Sequence, residues 1–144
     1  MPPASPARRI LVVCLGNHCR SPLAAAILAH RGGPSVAVRS AALHAGRLAG
    51  QPAHPLMVEA GAARGYDLTG HRGVQLTDDM LRWADTVLAM DRTILDHLQA
   101  RNGDRRKLRL YLPHADVPDP WGKTPADFVA CAALIAHGAD QHLA

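Results

Sequence analysis

Eight consecutive residues, Cys14-Leu15-Gly16-Asn17-His18-Cys19-Arg20-Ser21, limit what this chain can fold into more than any other stretch. They follow the apolar run Ile10-Leu11-Val12-Val13 and precede Pro22 and an alanine-rich, helix-favouring segment. That order predicts a buried strand, a tight loop and a helix N-terminus, with Pro22 at the first helical position, where its missing N–H is not needed. Such a loop turns backbone N–H groups inward, and the helix start adds unpaired N–H groups and partial positive charge. The result is a cradle for a tetrahedral oxyanion such as phosphate. Cys14 places a nucleophile below the anion, and Arg20, six residues on, adds a planar fork of donors beside it.

Beyond the loop, strand and helix patterns alternate. Arg8 to Cys14 reads as a buried strand, Pro22 to about Arg31 as a helix stopped by Gly32-Gly33-Pro34, and Ser35 to Arg39 as a second strand. Ser40 to Ala53 is a long connection with two glycines and Pro52, of the sort that more often binds than merely links. His54 to about Arg64 reads as a helix ended by Gly65, and Thr77 is an N-cap for Met80 to Ala84. Asp85 to Met90 is a third strand, Arg92 to Arg101 a helix ended by Asn102-Gly103, and Lys107 to Leu112 a fourth strand. Pro113 to Pro125 is a Pro- and Asp-rich loop, and Ala126 to His142 a last helix. This alternation implies an α/β fold, a parallel sheet with helices on both faces. At 144 residues the chain suits one domain, here 9–144, behind a flexible N-terminal arm over 1–8.

Several function classes fall away. No apolar run approaches the roughly 20 residues a bilayer span needs, and Met1 to Ala7 lacks the apolar segment of about 7–15 residues of a secretory signal. Three irregularly spaced cysteines argue against a disulfide scaffold and for a reducing compartment, the cytoplasm. The net charge of +4 has one dense run, Arg105-Arg106-Lys107 with Arg109, and no aromatic inside it, so no nucleic-acid partner is expected. Nine histidines are scattered without H-E-x-x-H or paired C-x-x-C spacing, so neither metal nor cofactor is expected.

The stretch C-L-G-N-H-C-R-S-P, including its Cys-x5-Arg-Ser spacing, resembles the phosphate loop of low-molecular-weight protein tyrosine phosphatases. Asp119-Pro120-Trp121 is similar to that family's general-acid loop. Ser40-Ala41-Ala42, Ala53-His54-Pro55, His71 to Thr77 and Val87 to Asp91 fall between them in the family's order, from about Arg9 to about His137. The resemblance implies strand order 2-1-3-4, with the phosphate loop after strand 1. A central first strand puts Cys14 at the carboxyl edge, where such sheets bind ligands. The implied activity is phosphomonoester hydrolysis, most of all of protein phosphotyrosine, through a phosphocysteine. Phosphorylated proteins or small phosphoesters are then the partners, with no membrane involved.

On that reading Cys14 is the nucleophile, its thiol made more acidic by the helix start, the loop amides and Arg20. Arg20 binds equatorial phosphoryl oxygens, and Ser21 donates to sulfur as it departs. Leu15, Gly16, Asn17, His18 and Cys19 complete the phosphate-binding loop, with Gly16 allowing close approach and Asn17 tolerating a left-handed backbone. The resemblance has Asn17 fixed by Ser40 and His71. Asp119 is the general acid, preferred over Asp116 because Pro120-Trp121 follows it. Three features depart from the family pattern. His18 stands where an aliphatic or small residue is usual, and lines the pocket or faces solvent. The loop after Ser40 has no aromatic, leaving Leu48 or Leu43 as the wall. Trp121 is followed by Gly122 rather than by a second aromatic. Cys19 either fills space or captures oxidised Cys14 as a disulfide. Competing functions are a small-molecule or phosphoserine phosphatase, an arsenate-reductase-like redox enzyme and a phosphate-binding module. The redox group relays through further cysteines after the third strand, and Asp85 to Leu98 has none.

Overall fold

The computed structural model describes residues 6–101 and 104–144. Strand β1, Arg8–Cys14, carries Ile10, Leu11, Val12 and Val13, all fully buried, as suits a continuous apolar run between two helical layers. It lies inside a four-stranded parallel sheet of order β2-β1-β3-β4, with β2 at Val36–Ala42, β3 at Thr86–Ala89 and β4 at Leu108–Leu110. Val13 sits opposite Ala41 on one side and Ala89 on the other.

Helix α1 (Arg20–Gly32) leads from β1 to β2, and α4 (Arg92–Ala100) from β3 to β4. These two crossovers run in opposite directions along the sheet. Right-handed connections therefore put α1 and α4 on opposite faces, and the winding reverses between β1 and β3. A crevice at the carboxyl ends of the strands opens at such a reversal. Helix α5 (Pro125–Gly138) packs against both α1 and α2 (Pro55–Ala63), while α3 (Asp78–Trp83) packs on β1. Caps fix where several helices start. Thr77 accepts from the Met80 amide, Asp91 from that of Ile94, and Thr124 with Asp127 forms a reciprocal capping box before α5. The Tyr111 hydroxyl donates to the Ile135 carbonyl (2.6 Å), joining the end of β4 to α5, and burial raises its pKa.

Some boundaries differ from the sequence reading. Helix α1 starts at Arg20, so Pro22 occupies its third position, still inside the first turn, whose N–H groups have no helical partner. Strand β2 continues through Ala42, because its ladder with β1 holds as far as the Cys14 pair. The last helix ends at Gly138, and Asp140–His142 is a separate 3-10 turn. Pairing with β2 already starts at Arg8, which belongs to the sheet rather than to an arm. Residues 1–5 of that arm, and the helix stop Asn102-Gly103, lie outside the described residues.

Candidate active site

The loop between β1 and α1 is held from within by Asn17. Its backbone is left-handed (φ +54°), and it is the only such non-glycine among the described residues. Every polar group of Asn17 is engaged. Its backbone N–H donates to Cys14 Sγ (3.2 Å), and its Nδ2 donates to Ser21 Oγ (2.8 Å) and Ser40 Oγ (2.9 Å). Its Oδ1 accepts from the Val74 amide (3.0 Å), and its carbonyl from His71 Nε2 (2.8 Å). A carbonyl partner puts the His71 proton on Nε2, and burial lowers the pKa of this ring. Ser21 Oγ and Cys14 Sγ lie 2.9 Å apart. Because the serine oxygen already receives Asn17, its own hydrogen is free to point at sulfur.

Arg20 is the most consequential buried charge, with a side chain 3% exposed. Its Nη1 donates to Asp91 Oδ2 (2.8 Å) and to the Val117 carbonyl (2.8 Å), using both hydrogens of that nitrogen. Its Nη2 lies 3.8 Å from Asp119 Oδ2. Burial opposes the guanidinium charge, but the Asp91 hydrogen bond, with Cys14 and Asp119 nearby, outweighs it and raises the pKa. Asp91 is an ion-pair partner that sequence reasoning missed. It sits where β3 passes into α4, and its other oxygen caps that helix through Ile94 (2.9 Å).

Above this floor opens a cleft of about 240 Å³. Asp119 lines it, half in solvent, and its Oδ1 accepts from the Trp121 amide (3.1 Å). Asp116 is elsewhere, with its carboxylate receiving the Arg92 N–H at the start of α4 (2.8 Å). Trp121 stands on one wall, 62% exposed. Leu48 stands on another, lying against Gly16 so closely that a Cβ there would come within 2.7 Å of its Cδ1. Leu43 requires a correction. It is 5% exposed and belongs to the core, since its amide continues the sheet by donating to the Cys14 carbonyl (2.9 Å) and its side chain turns inward. The next residue, His44, faces the cleft instead.

His18 lines the cleft, its ring edge-on to His54 at 5.3 Å. Burial, then His54, lower its pKa. Cys19 is buried in the same loop, and desolvation raises its pKa. Cys131 of α5 sits behind the loop that carries Asp119, its Sγ 3.6 Å from the Pro118 carbonyl, with its pKa pushed up to about 12 by burial. All three thiols are free. Among the described residues, no three His, Cys, Asp or Glu side chains are grouped to hold a metal, and no helix is long and apolar enough to cross a membrane.

Fold and site together define an α/β protein that holds a thiol and a buried arginine around an oxyanion cradle at a sheet switch point. Residues 9–144 match the family model of the low molecular weight phosphotyrosine protein phosphatase. The probable low molecular weight protein-tyrosine-phosphatase EpsP of Ralstonia solanacearum is 39% identical over 136 residues, covering 92% of each chain. Vibrio vulnificus Wzb in complex with benzylphosphonate superposes with a TM-score of 0.89 at 31% identity, over 95% of this chain and 97% of that one. The YwlE arginine phosphatase from Geobacillus stearothermophilus gives 0.87 at 30% identity, over 94% and 90%. The chain belongs to the low-molecular-weight protein-tyrosine-phosphatase family and is a cysteine-dependent phosphatase.

Proposed function

We propose that this chain dephosphorylates protein phosphotyrosine, with Cys14 as nucleophile, Arg20 and the loop amides as phosphoryl ligands, and Asp119 as general acid and base. The observation that carries the proposal is the sulfur of Cys14 on the cleft floor, with the Asn17 amide at 3.2 Å and Ser21 Oγ at 2.9 Å. In the first step the Cys14 thiolate attacks phosphorus, and the bond to the ester oxygen breaks as that oxygen takes the Asp119 proton. In the second, the Asp119 carboxylate takes a proton from water, whose oxygen displaces sulfur from phosphorus. The Ser21 hydroxyl then donates to the departing thiolate, and inorganic phosphate leaves. Arg20 keeps Nη2 and Nε for the equatorial oxygens, because Nη1 is committed to Asp91 and Val117.

Trp121, Leu48 and His44 wall the cleft, which favours a flat leaving group. An aromatic contact of this sort adds about 0.5–1.5 kcal/mol beyond area burial, so the preference for aryl esters is moderate. We place the enzyme in the cytoplasm, where its free thiols stay reduced. The decisive test compares parent and Cys14→Ser on phosphotyrosine, phosphoserine and phosphoarginine peptides. Cys14→Ser is expected to lose turnover and keep phosphate or vanadate binding, since the cradle is backbone and Arg20. Substantial residual turnover removes Cys14 from its role, and equal efficiency on phosphoserine removes the tyrosine assignment.

A further inference from the structure

We propose that Gln75 is a positioning residue for the leaving-group wall of the cleft, an inference that rests on the phosphatase reading above. The wall is the turn from Leu43 to Leu48, which brings His44 and Leu48 to the cleft. On its inner side it is tied to the phosphate loop, the His44 amide donating to the Leu15 carbonyl (2.9 Å). On its outer side one side chain ties the stretch around His44. Gln75 Oε1 accepts from the Ala45 amide (2.8 Å), and Nε2 donates to the Leu43 carbonyl (3.0 Å), with the Ala42 and Leu76 carbonyls both at 3.3 Å. The backbone groups on both sides of His44 therefore converge on a single amide.

Only a primary amide of this length does this, because it offers an acceptor and donors at one planar end. A glutamate would keep the Ala45 contact and face the carbonyls with a second acceptor.

The neighbours of Gln75 divide the work. The Val74 amide donates to Asn17 Oδ1 (3.0 Å), so it serves the phosphate loop along with His71. Gly73 serves the wall. It bridges to Ala49, its carbonyl accepts from Gly50 (2.8 Å), and any Cβ there would fall on the Leu48 carbonyl oxygen. The segment His71 to Leu76 thus holds the phosphate site and the wall through different residues. The Gln75 side chain bonds the wall and the adjoining strand end, not the phosphate loop itself.

The experiment compares the inhibition constants of inorganic phosphate and benzylphosphonate for parent, Gln75→Ala and Gln75→Glu, with p-nitrophenyl phosphate as reporter. Phosphate reads the loop, and the benzyl group adds the wall. Gln75→Ala is expected to weaken benzylphosphonate about three- to tenfold, the worth of roughly one net hydrogen bond, with phosphate changed less than about twofold. Gln75→Glu is expected to move the same ratio in the same direction. Equal weakening of both inhibitors would make Gln75 a support of the whole site, and an unchanged ratio in folded variants would show that the wall holds itself; either result overturns the proposal. Circular dichroism identifies a variant that does not fold, and the other variant then decides. Failure of the phosphatase reading looks different, because the parent would then show no turnover that Cys14→Ser abolishes.

Discussion

Asp91 gives the sharpest test of how the site is held, because its two carboxylate oxygens do separate jobs. Oδ2 accepts from the buried Arg20 (2.8 Å) and Oδ1 from the amide that starts α4 (2.9 Å). Asparagine has one acceptor oxygen. If that oxygen keeps the cap, its NH₂ faces the Arg20 Nη1, donor against donor. Asn and Asp cap helices about equally well, so Asp91→Asn isolates the loss at arginine. A hydrogen bond to a charged group contributes about 1.5–3 kcal/mol. Removing one partner of a buried pair costs about 3–5 kcal/mol when nothing replaces it. Here the Val117 carbonyl stays on Nη1 and Asp119 lies 3.8 Å from Nη2, so the guanidinium is not left unpaired and the smaller, hydrogen-bond figure applies. We expect Asp91→Asn to lose about 2 kcal/mol, and Asp91→Ala about 1 kcal/mol more for the cap. Urea unfolding at neutral pH with equal m-values measures both steps. An Asn variant within about 0.5 kcal/mol of the parent, or Asn and Ala variants of equal stability, would refute the division of labour.

Asp119→Ala is expected to slow esters with basic leaving groups by about 10²–10⁴-fold and p-nitrophenyl phosphate far less. Asp116→Ala should not show that pattern, since its carboxylate is bound to the Arg92 amide, and finding it there would reverse the assignment. His18, His71 and His142 all have pKa values lowered chiefly by burial from the ordinary 6.5. The unfolded chain then protonates first, so their stability is complete above about 6.5 and is lost as pH falls through that value towards the folded pKa values. Urea midpoints should drop between about pH 7.5 and 5.5, and the drop should shrink in His142→Gln, whose site is outside the cleft; an unchanged slope contradicts this. Brief peroxide followed by reductant should restore more activity in the parent than in Cys19→Ser if Cys19 captures oxidised Cys14, and equal recovery removes that role.

The buried first strand and the phosphate loop were legible because local chemistry dictates them, whereas the sheet order came with the family resemblance. Ile10 to Val13 can only be a strand buried on both faces, and the Cys-x5-Arg-Ser loop carries its own family pattern. Element ends were less legible. Ala41 and Ala42 have weak strand preference, and the β1 ladder rather than their side chains extends β2. The choice between Leu43 and Leu48 turned on whether the sheet register persists beyond Ala42. It does, and one further residue of extended chain turns Leu43 to the core and His44 to the cleft. Asp91 and Gln75 read only as members of two segments in the family's order, Val87 to Asp91 and His71 to Thr77. Nothing local in the sequence ties Asp91 to an arginine 71 positions earlier; adjacency of β1 and β3 does.

That adjacency has a consequence for the order of chemical events. Arg20 Nη1 joins the end of β3, through Asp91, to the start of the acid loop, through the Val117 carbonyl, while the Val117 amide returns to the Met90 carbonyl (2.8 Å). The acid loop is therefore registered against the same guanidinium that, on the roles proposed above, grips the phosphoryl group. In the free enzyme Nη2 faces Asp119 at 3.8 Å, and two unit charges at such a distance attract by about 4 kcal/mol at an effective dielectric of 20, less where solvent reaches the carboxylate, as it does here. A phosphoryl dianion entering the cradle competes for Nη2 and brings negative charge beside Asp119. Both changes loosen the contact that holds Asp119 against Arg20. On the roles proposed above, water enters beside Asp119 once the leaving group has departed. On those roles Arg20 ties occupancy of the cradle to the placing of the acid loop, with Nη1 held by Asp91 and Val117 while Nη2 is left to the substrate.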